Sequence, residues 1–518
     1  MSYVTTNFSD VLTSCQLDCS GELLDTKMIR RAFAKAECDF GYQEHTVFGM
    51  DTTLWAMLRE MFHVGTARTL KAAVQDVQQL RIAKGLDSIS ANTGTYAAAR
   101  TKIPVEVPQS LLHTIAENAE NLVPEEMYLC GLKVSHLDGT THSMQDTEET
   151  QEKYPQPKSQ KAGLGFPMWR VVVLISAVTA MVQMVAFGPW RGKGTGEMSL
   201  FVSLFEQLRK AASWIEVIVA DRYYCSYHSI AVLSHFGIRF VTRLHGKRLI
   251  DFADGKNVKR QKNGDFHVTW LRPPRPFWML DWMWKIVPET MILRLVRVRI
   301  ETPGLRIKGF FVVTNLMDAV QYPSEAIREL YRGRWNIEVD LRTIKSFMEL
   351  EVLRAKTPKM AEVEFAMGLL AYNIVRAKML ETAIAVRKEA ATTEAKQTSK
   401  TTKTRETSEK GGNKIAPEEL RARHISFSVA LTSLVSSYVT IHFMTMEMQE
   451  STFKQAESNR RSVQVGNRPD RIEPRCNKRR PKTQRLMLEP RAVLRDRLRA
   501  GQSPTQEGDE AAVLLGEH

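Results

Sequence analysis

Tyr331, Arg334, Glu338 and Lys345 lie in the stretch "YRGRWNIEVDLRTIK" at intervals of three, four and seven. At about 100° per helical residue they fall at roughly 0°, −60°, −20° and −40° around one axis. They form a single polar ridge. Leu330, Ile337, Leu341, Ile344 and Met348 occupy a neighbouring arc of about 60°, the face such a helix turns to a core. A helix bathed in solvent scatters its charges and pairs them four apart. Here a phenol, a guanidinium, a carboxylate and an ammonium line the edge of a buried face, where they are held yet still accessible. The spacing predicts one helix over about 324–349, with Trp335 buried.

Two further acids sit where strands end. "LKVSHLDGTT" reads as a strand running into a turn at Asp138-Gly139, and "WIEVIVAD" as a buried strand ending at Asp221. Strand ends carry sites because loops leave the core there. Asp138, Asp221 and Glu338 together make a hard oxygen donor set, suited to Mg²⁺ or Mn²⁺. Such ions can activate a water or a 3′-hydroxyl and stabilise the leaving oxygen of a phosphodiester. A single strand-end Asp is a common turn former, so the reading rests on the trio.

The elements that must position these residues follow from periodicity. Residues 1–125 read as a helical domain, with "TGTYAAARTKIP" placing Tyr96, Arg100 and Lys102 either near a helix able to lie on a phosphate backbone or on the wet basic face of a small helical bundle. Strands begin after about 126. The apolar run at 171–188 is near the minimum for a membrane span. Its β-branched content, Ser176, Thr179, Gln183 and terminal Gly-Pro favour two buried strands with a tight connection. Gly192 to Gly196 misses the phosphate-loop pattern and reads as a turn into a helix starting near Glu197. Residues 126–244 form a first core segment, 245–315 a β-rich insertion and 316–387 a second core segment. Residues 388–415 are nearly devoid of apolar side chains and read as a disordered linker. A helical segment at 416–460 and a basic tail at 461–518 follow; between Arg471 and Arg485 seven Lys/Arg face one acid, Glu473.

Bulk properties point the same way. The chain has 518 residues, 43% hydrophobic and 25% charged, which suits a globular protein of several domains. Its 72 Lys+Arg against 58 Asp+Glu leave a net charge of +14, and a polyanionic partner is expected, nucleic acid before an anionic membrane surface. Six irregularly spaced cysteines suit reduced thiols in a cytoplasm. Cys15, Cys19, Cys38 and His45 lack the spacing of a zinc knuckle. The N-terminus shows no signal-peptide pattern.

With these residues in view, the chain resembles the DDE transposases of bacterial insertion sequences, in the group with the Y-x2-R-x3-E-x6-K signature (the IS4 family). Tyr331, Arg334, Glu338 and Lys345 match that signature at every position, "DGTTHSMQDTEE" its first-aspartate block and "VIVADRYY" its second. "GKGTGE", "LLAYNIVR" and "RPDRIEPRCNKRRPK" are also similar, over roughly residues 50–490.

The resemblance implies an α/β fold: a ribonuclease-H-like catalytic core interrupted by a β-rich insertion, with an N-terminal helical DNA-binding domain and a helical, basic C-terminal region. It implies Asp138, Asp221 and Glu338 as catalytic metal ligands, and Tyr331, Arg334 and Lys345 as holders of DNA phosphates. It further implies Mg²⁺ (or Mn²⁺), double-stranded DNA at terminal inverted repeats and targets, a homodimer in the synaptic complex, and a cytoplasmic, nucleoid-associated protein without a membrane. An aromatic residue of the insertion, among Trp278, Trp282 and Trp284, is expected to receive a flipped base. The competing expectations are a DNA-binding protein with a decayed or repurposed core, and a membrane protein resting on residues 171–188.

Overall fold

The computed structural model describes residues 8–17, 22–41, 46–246, 257–299, 309–397, 415–465 and 489–501. Among them, nine strands form one mixed sheet. They are β1 (Val134–Ser143), β2 (Met168–Ser176), β3 (Val182–Pro189), β4 (Val217–Ala220), β5 (Arg239–Arg243), β6 (Val258–Arg260), β7 (Phe266–Leu271), β8 (Thr290–Arg299) and β9 (Gly309–Thr314). Their spatial order is β3-β2-β1-β4-β5-β9-β8-β7-β6. β1 runs antiparallel to β2 and parallel to β4, and β4 runs parallel to β5. The strands of the 245–315 stretch continue this sheet through the antiparallel β5–β9 pair.

The apolar run at 171–188 is two strands, as its composition predicts. The polar residues within it build the connection: Ser176 Oγ accepts the N–H groups of Val178 and Thr179, and Thr179 Oγ1 accepts that of Met181. Gln183 is buried and meets Ser135 Oγ at 2.5 Å. Among the described residues no helix is long and apolar enough to cross a membrane.

Both faces of the sheet are covered. Leu137, Val172, Leu174, Ile218, Ala220 and Phe240 pack under the helices Glu197–Ser203, Phe205–Ala211 and Tyr227–His235. On the opposite face, Val134, Val217, Val219 and Val241 meet Ile327 and Leu330 of the helix Ser324–Gly333. Beside them, Trp169, Val171 and Val173 join a core shared by the N-terminal helices, the helix Trp335–Ser346, the long helix Pro358–Gln397 and the helix Phe427–Ser437. The C-terminal segment closes back on the N-terminal helices. Trp55 Nε1 donates to Ser14 Oγ, Ser14 Oγ meets His442 Nε2 at 2.8 Å, and Tyr438 Oη donates to the Trp55 carbonyl.

The structure departs from the sequence reading in several places. β1 does not turn at Asp138-Gly139 but runs through to Ser143, because β2 pairs with it over that whole length. The long helix continues to Gln397, into the stretch expected to be a linker; the rest of that stretch lies outside the described residues, as do Cys19, His45 and the basic run 471–485. Tyr96 is buried and donates to Glu60, which also pairs with Arg100 at 2.8 Å, so these two serve the helical bundle and not a surface.

One buried charge cluster joins the layers. Asp340, on the helix Trp335–Ser346, is almost fully buried between Arg376 (3.1 Å) and Arg423, and Arg423 also donates to the carbonyls of Ser176 and Ala177 at the end of β2. Removing one partner of such a pair strands a buried charge. Asp340→Ala should therefore destabilise the fold by on the order of 3–5 kcal/mol. A denaturant midpoint within error of wild type would show that the cluster bears no load.

Candidate active site

The parallel pairing of β1 and β4 registers Val134 with Val217 and Leu137 with Ala220. The next position on each strand is Asp138 and Asp221. Side chains alternate along a strand, and Leu137 and Ala220 face the same core, so both aspartates turn to the opposite face. That is the face covered by the helices that carry Tyr331 to Lys345. Asp221 is fixed by the N–H of Tyr223, donated to its carboxylate at 2.7 Å. Asp138 accepts the N–H of Gly139 at 2.8 Å.

The ridge is not on one helix. The chain forms two, Ser324–Gly333 and Trp335–Ser346, joined at Arg334. There the Arg334 N–H bonds to Tyr331 and the Ile337 N–H to Arg334, three residues apart where an α-helix would use four. Gly333 lies against the buried His136 ring of β1, and a Cβ there would meet its Nε2 at 3.4 Å. The apolar stripe is buried as the periodicity predicts, and the four ridge residues are half-buried. Trp335 is not: its indole is 60% exposed, with the Arg334 guanidinium 6.0 Å from its ring. On the same wheel Trp335 falls at about +40°, roughly opposite the apolar stripe, so helical periodicity by itself turns it outward.

Arg334 is the centre of the arrangement. Its guanidinium bonds Glu338 at 3.2 Å and stands 3.8 Å from Asp138, so one cation spans acids from two elements. Tyr331 packs its ring on Phe310 at 5.3 Å, beneath Arg243, and burial raises its hydroxyl's pKa. Burial lowers the pKa of the Lys345 ammonium, about two turns further along the second helix. Trp278, Trp282 and Trp284 all pack on the core beneath the sheet. The His228 ring lies 6.0 Å from both Trp278 and Trp284, and Trp282 stacks on Phe236 at 6.1 Å.

A fourth carboxylate stands at the same strand end. Glu197 opens the helix Glu197–Ser203, accepts from Tyr224 Oη at 3.3 Å and lies 3.8 Å from Arg170. The sequence reading took it only as a helix start. The signal that was present is an acid directly after a glycine-rich turn that follows a strand.

Burial pushes the Asp138 carboxyl up to about 6, against the pull of the Gly139 N–H and Arg334, and the charges of Asp221 and Glu197 push it further in the same direction. Crowded like charges and an all-carboxylate donor set fit a hard divalent ion. Asp138, Asp221 and Glu338 would hold it. Among the described residues no three acids are yet gathered at ion-holding distance, and Arg334 supplies the positive charge between Asp138 and Glu338.

A family model described as a transposase DDE domain matches residues 130–374, the span that contains all three acids and the whole ridge. The chain carries a transposase DDE domain. The transposase InsG for insertion sequence element IS4 of Escherichia coli (strain K12) is 24% identical over 287 residues, 55% of this chain and 60% of InsG. The chain thus spans about three fifths of that relative. The transposase for insertion sequence element IS421 of Escherichia coli is 31% identical over 76 residues, 15% of this chain and 20% of that protein. A cryo-EM structure of a piggyBac transposase synaptic complex with hairpin DNA overlays 86% of this chain and 85% of its own, at 8% identity and a TM-score of 0.37, too loose a likeness to bear on the site.

The raised Asp138 carboxyl makes this transposase domain less stable than it could be. A group whose folded pKa exceeds its unfolded value binds more protons when folded, so stability falls as pH rises from about 3.8 to about 6. Asp138→Asn should therefore stabilise the fold above pH 6, by at most about 3 kcal/mol, read from denaturant or thermal unfolding. The gain should shrink towards pH 4, where both side chains are neutral. A gain independent of pH, or a loss at neutral pH, would contradict this account of the site.

Proposed function

We propose that the chain is a metal-dependent DNA transposase that cleaves phosphodiesters at the ends of an insertion sequence and transfers the cut strands. The observation that carries the reading is the placing of Asp138 and Asp221 where the parallel pairing of two neighbouring strands ends, with Arg334 bridging Asp138 to Glu338. The strand order β3-β2-β1-β4-β5, with β1, β4 and β5 parallel, supports a ribonuclease-H-like core extended by the strands of the insertion.

A bound Mg²⁺ or Mn²⁺ would supply activation of the attacking oxygen and charge neutralisation at the leaving one. The protein's own groups do the rest. Asp138 and Asp221 present two carboxylates from adjacent strands, and Asp340, two residues after Glu338, anchors the helix that brings the third. Arg334, standing between Asp138 and Glu338, carries the planar fork that would hold a DNA phosphate. Lys345 adds a point charge further along the strand, and Tyr331, braced by Phe310, lines the approach. The helices before residue 125 and the basic region after 461 grip the terminal inverted repeats. Two protomers pair the ends, in the cytoplasm and on the nucleoid. The net charge of +14 supports a DNA partner.

Asp138→Asn, Asp221→Asn and Glu338→Gln should each abolish Mg²⁺-dependent cleavage of transposon-end DNA and leave binding to that DNA nearly intact. Cleavage at the wild-type rate by one of them removes that residue from the site. Arg334→Lys should slow single-turnover cleavage by at least about tenfold, since an ammonium cannot copy a bidentate phosphate contact, while DNA affinity changes little. Lys345→Arg should be milder. An unchanged rate for Arg334→Lys would reduce that residue to a partner of Glu338.

A further inference from the structure

β1 continues past the point where β4 stops. Beyond Leu137 its strand partner is β2 alone, and its other edge carries no partner strand from Asp138 to His142, until Ser143 bridges to Val352. Asp138 faces the helices of the ridge at this edge. Gly139, the next residue, faces the opposite side of the sheet, and there the Glu197 carboxylate fills the space a side chain would need. A Cβ on Gly139 would lie 2.6 Å from Glu197 Cδ, 2.8 Å from Oε2 and 2.9 Å from Oε1. All three carboxyl atoms thus press on the one strand position without a side chain.

Glu197 is held there on both sides. Tyr224, buried three residues after Asp221, donates its hydroxyl to Oε2, and Arg170 of β2 lies 3.8 Å from Oε1. Arg170 is itself committed elsewhere: it donates to the Thr195 carbonyl at 3.0 Å, and its guanidinium lies over the Trp190 ring at 4.4 Å. The Tyr224 hydroxyl stands in the field of Glu197, Asp138 and Asp221 together, which with burial holds its pKa far above the usual value. It can give its one proton to only one of them, and it gives it to Glu197. An ordinary surface ion pair would not need a glycine cradle, a buried phenol and a place beside two aspartates.

We propose that Glu197 is a fourth acid of the metal site, reaching the open edge of β1 from beneath the sheet across Gly139 and binding the divalent ion together with Asp138 and Asp221. This rests on the reading of Asp138 and Asp221 as metal ligands. Glu197, Asp138 and Asp221 would hold the ion together, with Glu338 as the further carboxylate of the set. Gly139 is required because any side chain there displaces Glu197.

The test is Mn²⁺ binding to the full-length protein without DNA, followed by electron paramagnetic resonance of the free ion. Glu197→Gln should weaken Mn²⁺ binding about tenfold or more, the range that supporting metal-site acids command. Glu197→Asp should recover part of the loss because it keeps the charge. Gly139→Ala should weaken binding as Glu197→Gln does, and combining the two should add little. In cleavage assays Glu197→Gln should raise the Mg²⁺ concentration for half-maximal rate by a similar factor. If Glu197→Gln folds and binds Mn²⁺ like wild type while Asp138→Asn loses it, Glu197 is only a structural partner of Arg170 and Tyr224, and the proposal fails alone. If Asp138→Asn also binds like wild type, the metal reading of the whole strand end fails with it. Should Glu197→Gln not fold, unchanged Mn²⁺ affinity in Gly139→Ala overturns the proposal by itself.

Discussion

A carboxylate that cannot reach water sets the position of everything else. Asp340 is buried to within about a hundredth of its surface, two residues after Glu338 on the same helix. Burying a charge costs several kcal/mol unless it is paired and its hydrogen bonds are met. Asp340 meets that demand with Arg376 from the long helix and Arg423 from the C-terminal segment, and Arg423 in turn takes two carbonyls at the end of β2. Four parts of the chain, far apart in sequence, must therefore be in place together for the charge to be tolerated. What such a network supplies is geometry more than net stability. It fixes the helix of Glu338 relative to the sheet that carries Asp138 and Asp221.

A second buried pair does the same for the neighbouring helix. Arg294 of β8 is fully buried against Asp265 at 2.6 Å, and both reach Ser324, where the helix Ser324–Gly333 begins. Arg294 also donates to the Tyr322 carbonyl. The insertion is thus tied to the ridge by a charge lock as well as by β9 pairing with β5. Each helix is pinned by its own lock, and the chain between them breaks at Gly333 and Arg334.

Between the locks lies a region built against its own electrostatics. Asp138, Asp221 and Glu197 crowd one strand end, and Arg334 supplies positive charge from above. A fold selected for stability alone would neutralise one of these acids or let it into water. Strain of this kind persists at sites that bind something of opposite charge, because the ligand's arrival relieves it. The rigid surroundings, two covered sheet faces and two charge locks, keep the acids from relaxing apart.

Much of this was legible in the sequence. The ridge spacing, the apolar stripe, the two strands within 171–188 and the strand ending at Asp221 follow from periods of 3.6 and 2, which local sequence carries by itself. So did the acids' identity as a hard oxygen set, because it depends only on residue type. The tertiary structure decided what depends on distant partners. β1 runs through Asp138-Gly139 because β2 offers it a partner to Ser143, and no local signal competes with a ladder of backbone bonds. The ridge is divided between two helices at Arg334, where the His136 ring packs against Gly333 from another element. Tyr96 and Arg100 turn inward because Glu60, forty residues away, is there to receive them. Glu197 reaches the strand end only because Gly139, on a different element, leaves room for it. Sequence fixes what each residue can do chemically; which residues meet is settled by long-range pairing and burial, where a charge must find its counter-charge or stay in water.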